Sequence, residues 1–139
     1  MTAFDSYSPA RLPPAKQQPV VVLADDDEDI IKLVSFRLER SGYRVVSVRN
    51  GAEAVRLATE LLPAVVVLDV SMPVMTGIEA TRALRAAPET AGLPIILLTA
   101  RTAEADVAAG SAAGATAYVT KPFSPQDLAR RVEELVTHG

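Results

Sequence analysis

The chain has 139 residues, enough for one domain with a single well-filled core. Hydrophobic residues make up 49% and charged residues 22%, with a net charge of -3; this is a globular balance that disfavours nucleic-acid or membrane-surface binding, since either wants a basic face. The absence of cysteine excludes disulfides and thiolate–metal sites, and the single histidine, His138 beside the C-terminus, nearly removes zinc and histidine-based catalysis.

Residues 1–18 are rich in Pro, Ser and Gln and carry no apolar periodicity. They are expected to form a flexible leader, because Pro13 and Pro14 fit neither a regular ladder nor a helix interior. The leader lacks the basic and apolar regions of a signal peptide, and no apolar run approaches the roughly 18 residues of a membrane span. A cytoplasmic protein is the default expectation.

From residue 19 the pattern alternates. The runs PVVVLA (19–24), AVVVLDV (64–70) and PIILLTA (94–100) are continuously apolar, as strands buried on both faces should be. RVVSV (44–48) and TAYVT (116–120) are shorter strand candidates. Helical patterns lie between them. Ile30, Leu33, Val34 and Leu38 form the predicted inner face of the first helix, stopped by Ser41-Gly42. Ala54, Leu57, Ala58 and Leu61 mark the second, opened by Asn50-Gly51 and closed by Pro63. A third runs over 76–85 with Ile78, Ala83 and Leu84 inward. The fourth, over 102–112, is mostly alanine and glycine, with Val107 its only bulky apolar residue, and is expected to be mobile because it buries little. Ser124 and Pro125 stand at the N-cap and first position of the fifth, whose apolar face is Leu128, Val132, Leu135 and Val136.

Five strands alternating with five helices predict an α/β fold: a five-stranded parallel sheet, doubly wound as (βα)5 in a flavodoxin-like three-layer sandwich. Such folds bind ligands at the carboxyl edge of the sheet. Asp25 and Asp26 follow the first strand, Asp69 ends the third, Thr99 lies at the end of the fourth, and the fifth runs out into Lys121. Three gathered carboxylates repel one another, and a hard divalent cation resolves this, because Mg²⁺ prefers oxygen ligands and keeps some of its waters. Lys121 adds an ammonium suited to a phosphate oxygen. Metal, ammonium, the Thr99 hydroxyl and a carboxylate nucleophile together fit phosphoryl transfer, with Asp69 the best nucleophile because the other acids flank it. Singly, each has a structural alternative: the Asp pair as turn or cap, Asp69 as a strand-end cap, Thr99 as a strand-end residue, Lys121 as a surface lysine. Only their joint placement favours chemistry.

The segments VVLADDDEDI, VVVLDVSMPVMTGIEA, IILLTA and AYVTKPFS, in that order, resemble the signature blocks of response-regulator receiver domains, over about residues 19–137. The resemblance implies that Asp69 is the phosphorylated aspartate. It further implies that Asp26 ligates Mg²⁺ (or Mn²⁺) directly, Asp25 mainly through water, and Asp69 and the Ser71 carbonyl complete the set. Lys121 would pair with phosphoryl oxygens. Thr99 would swing toward the phosphoryl group, and Tyr118 would move inward as a switch; a half-buried strand aromatic is the plainer alternative. Lys121-Pro122 would be a cis peptide, a form that trans outweighs by about 0.5–1 kcal/mol unless the fold imposes it. Gly77 is expected to serve the loop backbone after Asp69, Met72 and Met75 to pack that loop, and Pro73 to fix its turn.

Ser71 and Arg101, two residues beyond Asp69 and Thr99, flank the water path and are expected to set the lifetime of the aspartyl phosphate. The segment GATAYV lacks the acidic pair found before the switch aromatic in many DNA-binding relatives, which weakens the expectation of a salt-bridged dimer and leaves a monomer or weak dimer. The implied partners are a histidine kinase or phosphotransfer protein and a downstream protein target, with no direct nucleic-acid or membrane contact. The chain is then a signalling substrate rather than an enzyme, apart from Mg-dependent self-phosphorylation from small donors and autodephosphorylation. Its start at Met1 and its stop after the last helix suit a single-domain regulator. Two alternatives stand beside this reading. One is a phosphorylation-independent pseudo-receiver. The other is an aspartyl-phosphate phosphohydrolase, against which the Val70-Ser71 sequence after Asp69 offers no second acid.

Overall fold

The computed structural model describes residues 18–100 and 104–138, so the predicted leader up to residue 17 and the site candidate Arg101 lie outside the described residues. Ten elements alternate in chain order: β1 (Val20–Ala24), α1 (Glu28–Arg40), β2 (Arg44–Val48), α2 (Gly51–Leu61), β3 (Val65–Asp69), α3 (Gly77–Ala86), β4 (Ile95–Ala100), α4 (Glu104–Ala113), β5 (Ala117–Lys121) and α5 (Pro125–His138). All four strand pairings are parallel and the sheet order is β2-β1-β3-β4-β5. The chain therefore reverses its direction of winding between β1 and β3, and a crevice opens there at the carboxyl ends.

The continuous apolar runs are explained by two cores, one on each face of the sheet. Val21, Leu23, Val65, Val67, Ile96 and Leu98 point to one side, against α1 and α5. Val22, Ala24, Val66, Leu68, Ile95 and Leu97 point to the other, against α2 and α3. Alternate residues of each strand face opposite layers, so every position is apolar and the period-2 signal disappears.

The helix ends follow local chemistry. Asp27 caps α1 by accepting from the Asp29 and Ile30 amides, Asn50 caps α2 through the Glu53 amide, and Thr76 with Glu79 forms a capping box on α3. The Ser124 hydroxyl accepts from the Asp127 amide at the start of α5.

The helix faces differ in part from expectation. In α1 the buried residues are Ile31, Val34 and Leu38; Ile30 is half-buried and Leu33 is 58% exposed. In α2, Ala54 and Ala58 are buried but Leu61 is exposed. In α3 the inner face is Gly77, Ala80, Thr81 and Leu84, with Ile78 and Ala83 at its margin. Thr81 is tolerated inside because its hydroxyl donates to the Gly77 carbonyl one turn back, at 2.8 Å.

Candidate functional site

Asp25 is the residue immediately after β1, and none of its surface is exposed. Its Oδ1 accepts from the Asp27 amide at 2.9 Å, and its Oδ2 lies 3.1 Å from Lys121 Nζ. The three consecutive acids thus divide their work. Asp27 caps the helix, Asp25 is drawn into the sheet edge, and Asp26 stays exposed at the crevice.

Asp69 ends β3, the central strand, and is 6% exposed. Its Oδ1 lies 3.2 Å from Lys121 Nζ, so one ammonium bridges two carboxylates from two strands. Burial, reinforced by the charge of Asp25, pushes the Asp69 carboxyl up to about 6, although Lys121 pulls it the other way. Burial acts to lower the Lys121 pKa, but hydrogen bonding and attraction from Asp25 and Asp69 outweigh it and hold the ammonium above its ordinary value.

Carboxylate oxygens of Asp25, Asp26 and Asp69 lie within 4.8 Å of one another. An all-oxygen, acid-rich set of this kind suits a hard divalent cation such as Mg²⁺. Ser71 is exposed in the loop after Asp69 and lines one cleft with Asp26.

That loop is held by backbone contacts. The Gly77 amide donates to the Val70 carbonyl at 3.0 Å, and a Cβ on Gly77 would run into the Asp69 carbonyl oxygen. Glycine is needed there for close approach. Gly51, the first residue of α2, abuts the Met75 carbonyl in the same way and donates its amide to it. Met72 is buried and Met75 half-buried, both packed on the core, whereas Val74 is 82% exposed with φ of 70°.

On the other flank, Thr99 pairs with Thr120 and Ala100 with Lys121 across β4 and β5. Thr99 is 1% exposed, and among the described residues its hydroxyl has no hydrogen-bond partner. Tyr118, three residues before Lys121, is half-buried with its hydroxyl enclosed and equally unpartnered. The Lys121–Pro122 peptide is cis.

The structure therefore brings Asp25, Asp26, Asp69 and Lys121 together and sets Thr99 and Tyr118 on the adjoining strands. Residues 21–133 match the response regulator receiver domain family. The chain belongs to that family. It is 40% identical over 116 residues to the alkaline phosphatase synthesis transcriptional regulatory protein PhoP of Bacillus subtilis, covering 84% of this chain and 48% of PhoP. This receiver thus spans about half the length of the curated relatives it matches. Among solved structures, the chemotaxis response regulator CheY4 of Vibrio cholerae superposes with a TM-score of 0.80 at 34% identity, covering 86% of this chain and 99% of CheY4. The receiver domain of the sensor histidine kinase PA1611 from Pseudomonas aeruginosa, solved with a magnesium ion in its active-site cleft, gives a TM-score of 0.81 at 30% identity, with coverages of 87% and 99%.

Two features of the receiver site escaped the sequence reading. The bridging of Asp25 to Asp69 by Lys121 depends on the β1-β3-β4-β5 order, which periodicity does not encode. The capping role of Asp27 was hidden among three like residues, although Glu28 and Asp29 in the next turn are a helix-start signal.

Proposed function

We propose that this receiver, spanning 19–139, takes a phosphoryl group onto Asp69 from a histidine kinase or phosphotransfer protein and thereby changes its affinity for a protein target. The observation that carries this is the Lys121 ammonium held 3.1 Å from Asp25 and 3.2 Å from Asp69, on an edge where three carboxylates converge. With its pKa raised to about 6, Asp69 is still mainly ionised at neutral pH, and its burial leaves the carboxylate poorly solvated. An Asp69 oxygen attacks the phosphorus; the new P–O bond forms as the donor's P–N bond breaks, and the leaving imidazole takes a proton from solvent.

Asp25, Asp26, Asp69 and the Ser71 carbonyl would hold Mg²⁺ or Mn²⁺, which when bound supplies charge neutralisation at the phosphoryl oxygens. Lys121 is placed to follow the charge from the Asp69 carboxylate to a phosphoryl oxygen. The Thr99 hydroxyl, without a partner among the described residues, is a donor ready for the same group, and Tyr118 is the aromatic that answers it. Ser71 and Arg101 would set how fast water removes the phosphoryl group. Catalysis by this chain is confined to its own phosphorylation from small donors and its own hydrolysis. A cytoplasmic location goes with this reading, and among the described residues no helix is long and apolar enough to cross a membrane.

An apolar groove of about 370 Å³, lined by Ile30, Leu33, Val34, Ala100, Pro122 and Phe123, opens beside Lys121. A protein donor reaching Asp69 would lie across it. The test is titration with beryllofluoride and Mg²⁺ while backbone amide spectra are followed, with Asp69→Asn as control. Shifts at Thr99, Tyr118 and α4 that vanish in the variant are expected; a folded protein without shifts would contradict the proposal.

A further inference from the structure

Helix α4 has a glycine in its interior that its backbone does not require. Gly110 lies in the helix without a positive φ, so any residue could adopt its conformation. Alanine would be the better helix former there, and α4 uses alanine at Ala108, Ala109, Ala112 and Ala113. What sets Gly110 apart is what faces it. A Cβ at this position would come within 2.6 Å of Leu97 Cδ1, 3.0 Å of Tyr118 Cε1 and 3.6 Å of the Tyr118 hydroxyl oxygen. Leu97 and Tyr118 are register partners on β4 and β5, and Leu97 is fully buried. Their backbones are fixed by the sheet, so a methyl group would be accommodated chiefly by side-chain movement. Of the two side chains, the half-buried Tyr118 ring has an exit toward solvent and the enclosed Leu97 does not. Among the described residues the Tyr118 hydroxyl has no hydrogen-bond partner that would oppose such a movement.

We infer that Gly110 is the socket of the Tyr118 ring and a positioning residue for the switch: the missing methyl admits the ring, and so ties the placement of α4 to the sheet edge that carries Thr99 and Lys121. The inference rests on the reading of Tyr118 as the switch aromatic. Filling the socket should drive the ring outward even before any phosphoryl group arrives.

The test is Gly110→Ala made in three backgrounds: the natural sequence, Tyr118→Ala and Leu97→Val. Helix propensity alone would raise the melting temperature equally in all three. The socket predicts no rise, or a fall, with Tyr118 present and a rise once the ring is removed. It also predicts that the Tyr118 ring signals in ¹H–¹³C spectra of Gly110→Ala move toward solvent-exposed values, while those of Tyr43 stay fixed. If the single variant fails to fold, recovery by Tyr118→Ala supports the inference. Equal gains in every background, or rescue by Leu97→Val and not by Tyr118→Ala, would overturn it and leave Gly110 a packing neighbour of Leu97. The melting cycle needs no phosphoryl chemistry. A natural-sequence protein that ignores beryllofluoride would therefore sink the phosphorylation reading without altering the outcome at Gly110.

Discussion

Asp69 and Lys121 are each pushed by burial away from their charged forms, and each opposes that push in the other. For Asp69 burial and the neighbouring Asp25 win, and the folded carboxyl titrates near 6, above its ordinary 3.8. Between these values the folded state binds more protons than the unfolded chain. Stability from this group is therefore fully present below 3.8 and lost as pH rises through about 6, to the extent of roughly 3 kcal/mol. Urea unfolding of metal-free protein at about pH 5 and about pH 8 should show the remaining part of this loss, roughly 1.4 kcal/mol, because the rest already falls between pH 3.8 and 5, and Asp69→Asn should flatten it. Because the metal must displace that proton, Mg²⁺ affinity measured by calorimetry should fall by about tenfold per pH unit below 6. Lys121, held above its ordinary value, contributes stability that is lost only at alkaline pH, well outside this window. Val74 is a separate case. A β-branched residue at φ of 70° is strained, and 82% exposure gives it little burial in return. Val74→Gly should raise stability by about 1 kcal/mol, read as a higher urea midpoint at unchanged slope. The acids were legible as residues because each follows or ends a continuously apolar strand, and the lysine because it follows the shorter strand candidate TAYVT. The strain at Val74 was not, since nothing in the Pro73-Val74-Met75 sequence announces a left-handed backbone.

At the scale of elements, the helices show where periodicity misleads. The α1 sequence offers two overlapping apolar stripes, one through Ile30 and Leu33 and one through Ile31, Val34 and Leu38. The sheet takes the second. Leu33 and Phe36 are left exposed, and Leu33 lines the groove beside Lys121. Leu33→Asp should leave folding and acetyl-phosphate labelling unchanged but slow transfer from a phosphorylated histidine phosphotransfer protein by about tenfold, the loss of one interface contact. Equal rates for both donors in the variant and the natural sequence would remove the groove from the donor's path. The α3 helix carries a second element-scale device. From its last turn, Arg85 donates to the carbonyls of Gly114 (2.8 Å), Ala91 (2.9 Å) and Leu93 (2.6 Å), and to the Thr116 hydroxyl. One side chain thus stitches the loop before β4 to the turn between α4 and β5. Arg85→Ala should cost about 2–3 kcal/mol in urea unfolding, since it leaves part-buried carbonyls without donors. Its four partners lie 6 to 31 residues away in sequence, which is why no local pattern exposes it.

For the molecule as a whole, the alternation of buried strands with helices was enough to imply a doubly wound parallel sheet, and that fold rule alone sent Asp25, Asp26, Asp69, Thr99 and Lys121 to one edge. Periodicity left strand order open, because continuous apolar runs look alike whichever neighbour they pair with; the flavodoxin-like expectation supplied it. The order found puts β3 between β1 and β4 and so sets Asp69 in the middle of the acids, the lysine and the threonine. The least legible part is α4, whose alanine and glycine composition carries no apolar stripe; its one informative residue, Gly110, matters through a side chain on β5. Membership of the receiver family and the geometry of Lys121 converge on one covalent event at one atom pair. Its most direct measurement is the intact mass of the protein after incubation with Mg²⁺ and acetyl phosphate, beside Asp69→Asn treated alike. A gain of one phosphoryl group that the variant lacks is the expected result. No gain in a folded, Mg²⁺-supplied protein, or an equal gain in the variant, would contradict the account and favour a receiver that acts through partner binding without phosphorylation of Asp69.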